Sequence, residues 1–290
     1  MSARPSTAVI TITAGRDAHL RRQREALSGE EVDLHVVVGM AGAPELRDIP
    51  KSPPVAPVLV TADDRGLPLA AARNAGARVA LEHGVELLVF LDVDCVPGPE
   101  CLARYQTAAR RVPPATLLCG PVAYLPPPPP DGYPSAGELA RLAEPHSGRP
   151  APPPGEITLE EHRFELFWSL SFATSRDDWY RFGGFCEEFA GYGAEDTDFA
   201  LRAAARGTRL AWVGGAVAYH QHHPPSRHEA RHVRELVANA RLFHRRHGFW
   251  PMSDWLTELD KAGAVHFDPA DDSLRLLAGS DHLTSKQGIT

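Results

Sequence analysis

The stretch Glu86-Leu87-Leu88-Val89-Phe90-Leu91-Asp92-Val93-Asp94 decides how this chain is read. Its apolar run has no polar face, the pattern of a parallel strand buried on both sides. Working outward, Val9-Ile10-Thr11-Ile12-Thr13, residues 34–38 and residues 55–60 are further short strand-like runs. An Arg/Leu-rich helical segment over 17–27 and a helix from Pro68 to His83, stopped by Gly84, lie between them. Strands and helices in alternation imply an α/β fold with a doubly wound, mostly parallel sheet flanked by helices. Ligand sites in such sheets lie beyond the carboxyl ends of the strands, which is where Asp92 and Asp94 fall.

Composition narrows the function classes. Among 290 residues, 30 Lys+Arg against 37 Asp+Glu give a net charge of −7, so a sequence-independent nucleic-acid binder is not expected. No apolar run approaches a membrane span, and residues 1–7 lack the apolar core of a secretory signal. Cys95, Cys101, Cys119 and Cys186 have no C-x-x-C spacing, so neither a zinc ribbon nor a disulfide framework is indicated. A cytoplasmic protein with reduced thiols is the expectation. Of 27 prolines, many crowd into residues 113–155, including the run 126–130. Proline fixes φ and removes a backbone donor, so this stretch is expected to be a surface insertion without central strands.

Beyond the insertion, residues 167–174 read as a strand and Gly183-Gly184-Phe185 as a turn. A helix is expected over 195–206, short strands over 209–213 and 216–220, and an amphipathic helix from Ser226 to Gly248. Past Trp250 the signals weaken. The expected organisation is one catalytic domain over 1–225, with residues 226–290 as a C-terminal helix and tail packed on it.

Three features carry chemistry. Asp92-Val93-Asp94 can offer two hard carboxylates to one Mn2+ or Mg2+ ion and its bound phosphates, although two solvated loop aspartates would look the same. Gly191-Tyr192-Gly193-Ala194-Glu195-Asp196-Thr197-Asp198 places a flexible loop and an aromatic residue before acids in a first helical turn. Complementing the helix dipole accounts for Asp198; the loop before it suggests a general base for an incoming hydroxyl. Tyr219-His220-Gln221-His222-His223 ends a strand, where a neutral imidazole can complete a metal site, and His220 is favoured because it terminates that strand.

In this order the features resemble the GT-A glycosyltransferases, the β-1,4-galactosyltransferase domain family most and glycosyltransferase family 2 more loosely. Gly15-Arg16-Asp17-Ala18-His19-Leu20 is similar to the family's nucleotide-contacting turn, and Asn74 with Gly76 to its Asn-x-Gly. Val89 to Asp94 with Pro97 is similar to its metal motif, and residues 172–198 to its acceptor and catalytic region. The resemblance implies a GT-A (Rossmann-like) fold and a metal-dependent transfer of a hexose from a nucleotide sugar, UDP-sugars favoured, to a saccharide or small-molecule acceptor. It implies Asp94 and His220 as metal ligands, with Asp92 on the metal or the donor ribose. Arg16, Arg73 and Asn74 are implied donor contacts; Gly39-Met40 stands where glycosyltransferase family 2 carries an aspartate for the base, with Asp63 or Asp64 as the candidate substitute. Asp196 is implied as the base and Glu195 as its neighbour that positions a sugar. Tyr192 and Gly193 fall at the acceptor site, Tyr192 standing where the family has tryptophan. Direct displacement with Asp196 as base would invert the anomeric configuration.

A competing motif, His228-Glu229-Ala230-Arg231-His232, satisfies H-E-x-x-H and would suit a zinc hydrolase. Ser226 and Glu229 also form a helix-capping S-x-x-E, and no third histidine follows at metzincin spacing. A non-catalytic nucleotide-sugar or glycan binder is the other alternative, and it would not need the acid pair Glu195-Asp196. Oligomeric state is not legible.

Overall fold

The computed structural model describes residues 4–47, 49–223 and 230–277. The expected helix start at Ser226, together with His228 and Glu229, lies outside the described residues, as does the end of the tail.

The first half runs β1 (Thr7–Thr13), α1 (Asp17–Leu27), β2 (Leu34–Gly39), β3 (Val55–Leu59), α2 (Leu69–Glu82), β4 (Leu87–Leu91), β5 (Cys95–Pro97) and α3 (Cys101–Ala109). Next come β6 (Thr116–Cys119), β7 (Val122–Tyr124), β8 (Glu144–Pro145), β9 (Ile157–Glu160), β10 (Ser171–Ser175) and α4 (Arg176–Phe182). The remainder is α5 (Glu195–Ala204), β11 (Arg209–Val213), β12 (Ala218–His220), α6 (Ala230–His247), α7 (Ser253–Lys261) and the hairpin β13 (Val265–Asp268) with β14 (Ser273–Leu276).

The main sheet has eight strands in the order β3-β2-β1-β4-β10-β6-β11-β9. Pairings among β3, β2, β1 and β4 are parallel, as is β6 with β11, while β10 and β9 run against their neighbours. The period of two along β1 divides its side chains between layers. Ala8, Ile10 and Ile12 pack with Val36, Val38 and Phe90 on one side, and Val9 packs with Leu87, Val89 and Tyr105 on the other. Gly76 lets α2 lie close on this sheet, since a Cβ there would sit 2.5 Å from Ile10 Cγ2. Phe90 on β4 stacks on Phe172 on β10, with centroids 4.4 Å apart, which locks the antiparallel strand against its parallel neighbour.

A second sheet, β5-β12-β7-β8, stands beside the first and begins one residue after Asp94. No described helix is long and apolar enough to cross a membrane.

The structure corrects three expectations. Strand β6 is an interior strand of the main sheet, although it lies within the proline-rich stretch. Thr116-Leu117-Leu118-Cys119 is a proline-free window, and a proline excludes only its own position from a ladder. Residues 167–174 do not form one long strand: β10 starts at Ser171, and helix α4 follows at once. Ser175 caps that helix by accepting from Asp178 N, and Gly183 ends it at φ 80°. Beyond Trp250 the chain forms α7 and a hairpin, which share a core of Val233, Leu236, Val237, Leu256 and Val265 with α6.

Candidate active site

The end of β4 is held rigidly. Gln23 on α1 donates its amide to the carbonyls of Asp92 and Cys95, 2.9 Å each, and accepts from Thr11 Oγ1. Asp92 N donates to Leu170 O at 3.0 Å, and Val93 is buried with Leu20 and Val37. These contacts fix where the two carboxylates emerge.

Strand β12 then delivers the histidines. His220 pairs with Cys95 in the antiparallel β5–β12 ladder, and Gln221 N donates to Asp94 O at 2.7 Å. The ladder therefore sets His220 beside the last residue of the D-x-D turn. His220 Nε2 lies 3.6 Å from Asp94 Oδ1, and His223 Nε2 lies 3.4 Å from Asp94 Oδ2. One donor atom from each of Asp94, His220 and His223 falls within a 4.8 Å span. Sequence reasoning favours His220 alone, but the segment that leaves β12 sets His223 at the same carboxylate.

Asp94 is 7 % exposed, and its Oδ1 has no hydrogen-bond partner among the described residues. Burial alone would raise its pKa; the His223 hydrogen bond and the charges of His220 and Arg16 outweigh that and hold it at about 2. Burial, with help from His223 and Arg16, lowers the pKa of His220 and so favours the neutral ring. A buried, ionised oxygen without a donor, facing imidazole nitrogens, is the donor set a divalent cation needs.

Asp92 is not part of this group. Its carboxylate accepts from Arg73 Nη2 at 3.0 and 3.3 Å, while Arg73 Nη1 reaches Glu195 Oε1 at 3.1 Å. Arg73 is a buried bridge between the metal turn and the start of α5. Arg16, in the turn after β1, forms an ion pair with Asp94 at 2.5 Å. Asn74 and Asp63 are not brought to the site. Asn74 brackets the backbone of Phe185 and donates to Glu187, and Asp63 is exposed and paired with Arg65.

At the N-terminus of α5, Asp196 Oδ1 accepts from Thr197 N at 2.7 Å. Burial raises the pKa of Asp196, and it pushes Glu195, with Asp196 beside it, up to about 7. The loop before them is unusual backbone: Gly191, Gly193 and Ala194 have φ of 74°, 108° and 69°. Helix α6 props it from below. Glu235 accepts from Tyr192 N at 3.1 Å, and Asn239 donates to the carbonyls of Ala190 and Tyr192. A Cβ at Gly191 would run into the Glu235 carboxylate, so glycine is required there. Asp198 is fully buried and accepts from Arg202, Arg246 and His247, tying α5 to the end of α6. Tyr192 is exposed, its ring parallel to Trp255 of α7 at 6.0 Å and edge-on to His232. Trp255 escaped sequence reasoning because nothing in the weakly patterned segment past Trp250 ties it to a loop sixty residues earlier. Of the H-E-x-x-H motif, only His232 among its histidines is described, and it packs against that tyrosine.

This α/β fold, with carboxylates and imidazoles gathered at a strand end, is joined to a sequence kinship. Residues 160–226, which carry Glu195, Asp196, His220 and His223, match the family model for the N-terminal domain of galactosyltransferase. The chain is 30 % identical over 274 residues to validoxylamine A glucosyltransferase of Streptomyces hygroscopicus subsp. limoneus, covering 84 % of this chain and 57 % of that one. It is likewise 30 % identical to the protein of that name from Streptomyces hygroscopicus subsp. jinggangensis (strain 5008), of which it covers 61 %. The chain thus spans about three fifths of the length of these curated relatives. By sequence it is a relative of glycosyltransferases. Similar solved structures are GalNAc-T7 with UDP, GalNAc and Mn2+ (14 % identity, 77 % of this chain and 45 % of that one, TM-score 0.49) and the mannosyltransferase PcManGT from Pyrobaculum calidifontis with GDP-Man and Mn2+ (18 %, 84 % and 65 %, TM-score 0.48).

Proposed function

We propose that the protein is a metal-dependent glycosyltransferase that moves a hexose from a nucleoside-diphosphate sugar to an acceptor hydroxyl. The observation that carries this reading is the buried Asp94 carboxylate at the end of β4, whose Oδ1, without a donor among the described residues, faces His220 while Oδ2 faces His223. Asp94, His220 and His223 would hold the ion. One oxygen and two nitrogen donors suit Mn2+ better than Mg2+, which prefers oxygen throughout. When bound, the ion would neutralise charge that grows on the departing diphosphate.

The protein's own groups supply the rest. Asp196 removes the acceptor proton as the acceptor oxygen bonds to the anomeric carbon and the bond from that carbon to the phosphate oxygen breaks. Attack from the face opposite the leaving group inverts the configuration. Arg73 holds Glu195 and Asp92 in fixed positions, so the acid pair and the metal turn keep their spacing. Tyr192, backed by Trp255, offers a flat apolar surface to one face of a ring-shaped polyol acceptor. The curated relatives are glucosyltransferases named for validoxylamine A, so a glucosyl donor and a small polyhydroxylated acceptor are the favoured pair; UDP is the favoured nucleotide.

A donor-hydrolysis screen across UDP-, GDP- and TDP-sugars, with and without Mn2+, tests this. Metal-stimulated release of one nucleoside diphosphate supports the reading. Release that ignores the metal, or no release from any donor, contradicts it.

A further inference from the structure

Arg149 lies within the proline-rich stretch and is 6 % exposed. Its guanidinium carbon lies 4.8 Å from the ring centroid of Trp168 and 5.0 Å from that of Trp212. The two indoles fix the position of the planar cation. Yet Nε, Nη1 and Nη2 all lack a hydrogen-bond acceptor among the described residues. The other two buried arginines among the described residues are served differently. Arg24 donates to Pro53 O and faces His35 Nδ1, and Arg73 donates to Asp92 and Glu195. A buried guanidinium with every donor vacant is costly to the fold, and it persists where a ligand supplies the acceptors.

Its place in the fold says which ligand. Trp168, beneath Arg149, meets His146 edge-on at 4.7 Å; His146 lies 6.0 Å from the Tyr124 ring, and Tyr124 lies 4.9 Å from the ring of His220. Two residues after Trp168, Leu170 O anchors Asp92 N. Ser169, next to Trp168 in the chain, donates its backbone N–H to Asp196. The Arg149–Trp168 pair is thus joined, through ring contacts and through the segment that follows Trp168, to His220, to the turn that carries Asp92 and to the acid at the start of α5. The other cations there are engaged, Arg16 by Asp94 and Arg73 by Asp92 and Glu195.

We infer that Arg149 is a seat for the diphosphate of the donor, its N–H groups donating to the phosphate that leaves the sugar. The inference rests on the glycosyl-transfer reading above and adds a residue to it. As the bond from the anomeric carbon to the phosphate oxygen breaks, its electron pair passes to that oxygen, to which Arg149 would donate. The acceptor oxygen forms the new bond, and its proton goes to Asp196.

The test compares the intact protein with R149M by calorimetry and tryptophan fluorescence. The probes are inorganic pyrophosphate, UDP and GDP, each with and without Mn2+. Wild type is expected to bind pyrophosphate and at least one nucleoside diphosphate. R149M is expected to bind them about tenfold to a hundredfold more weakly, as for lost hydrogen bonds to a charged group, with Mn2+ affinity unchanged. Unliganded R149M should melt no lower than wild type, because it loses an unpaired buried charge. Should R149M fail to fold, R149Q is read in the same way. Unchanged affinity for the anions, or a lower melting temperature with unchanged affinity, overturns the inference while leaving the glycosyl-transfer reading intact. Wild type that binds Mn2+ but none of the anions overturns both.

Discussion

Nη1 of Arg73 lies 3.1 Å from Oε1 of Glu195, across 122 positions of sequence. The same guanidinium holds Asp92, and its side chain is only 4 % exposed. Removing one partner of a buried charge network strands the others, which typically costs about 3–5 kcal/mol. R73M is therefore expected to lose about that much stability in denaturant unfolding, whereas E195Q, which leaves Arg73 its Asp92 contact, loses less. An R73M variant within about 1 kcal/mol of wild type would show that the bridge is not holding the two segments together.

The metal group makes a prediction about a residue that the sequence did not single out. H223A is expected to weaken Mn2+ binding by at least about tenfold, as loss of a ligand costs no less than loss of its support. H222A should leave binding unchanged, since His222 lies outside the group. Titration of free Mn2+ by paramagnetic resonance distinguishes them, and equal effects of the two substitutions would remove His223 from the site.

The acid pair shapes the pH profile. A general base accepts a proton only when ionised, so transfer falls as pH drops through the apparent pKa of the Glu195–Asp196 pair. Burial raises both groups, so the acid limb of kcat/KM is expected above the ordinary carboxylate range rather than near pH 4. E195Q removes the neighbouring negative charge and should move that limb to lower pH. A limb that stays in place in E195Q would show that the two carboxyls titrate independently.

Far from the site, His35 sets an acid limit to stability. It is fully buried, with Nε2 3.0 Å from Thr11 Oγ1 and Nδ1 3.2 Å from Arg24. Burial first, and then Arg24, lower its pKa to about 3. The unfolded chain takes up a proton near pH 6.5 and the folded one does not, so this contribution is present above 6.5 and is lost as pH falls toward 3. By pH 5 the loss is about 2 kcal/mol. Comparing wild type with H35Q at pH 7 and pH 5 isolates it; the same acid-induced loss in both would clear His35.

What could be read from the sequence depended on how local the physics was. The five apolar residues before Asp92 have only one comfortable home, a strand with both faces covered, and β4 is fully buried. Helix α1 was legible over its whole length because its Arg/Leu pattern is a local signal. The interior strand β6 was hidden because neighbouring prolines masked a proline-free window of four residues. Arg149 and Trp255 were not legible for a different reason. An arginine or tryptophan in a weakly patterned segment acquires meaning only from what the tertiary fold sets beside it, here two indoles and the Tyr192 ring. His223 was passed over because it lies beyond the last residue of its strand, where no strand register places it beside Asp94.

The most direct test of the central claim is single-turnover transfer by D196N, with nucleoside diphosphate binding in the presence of Mn2+ measured on the same sample. Removing a general base typically costs about 10²–10⁴ in rate. A loss of that size with nucleoside diphosphate binding unchanged is the predicted result. Turnover equal to that of the wild type would contradict the assignment of Asp196 and, with it, the mechanism proposed for this site.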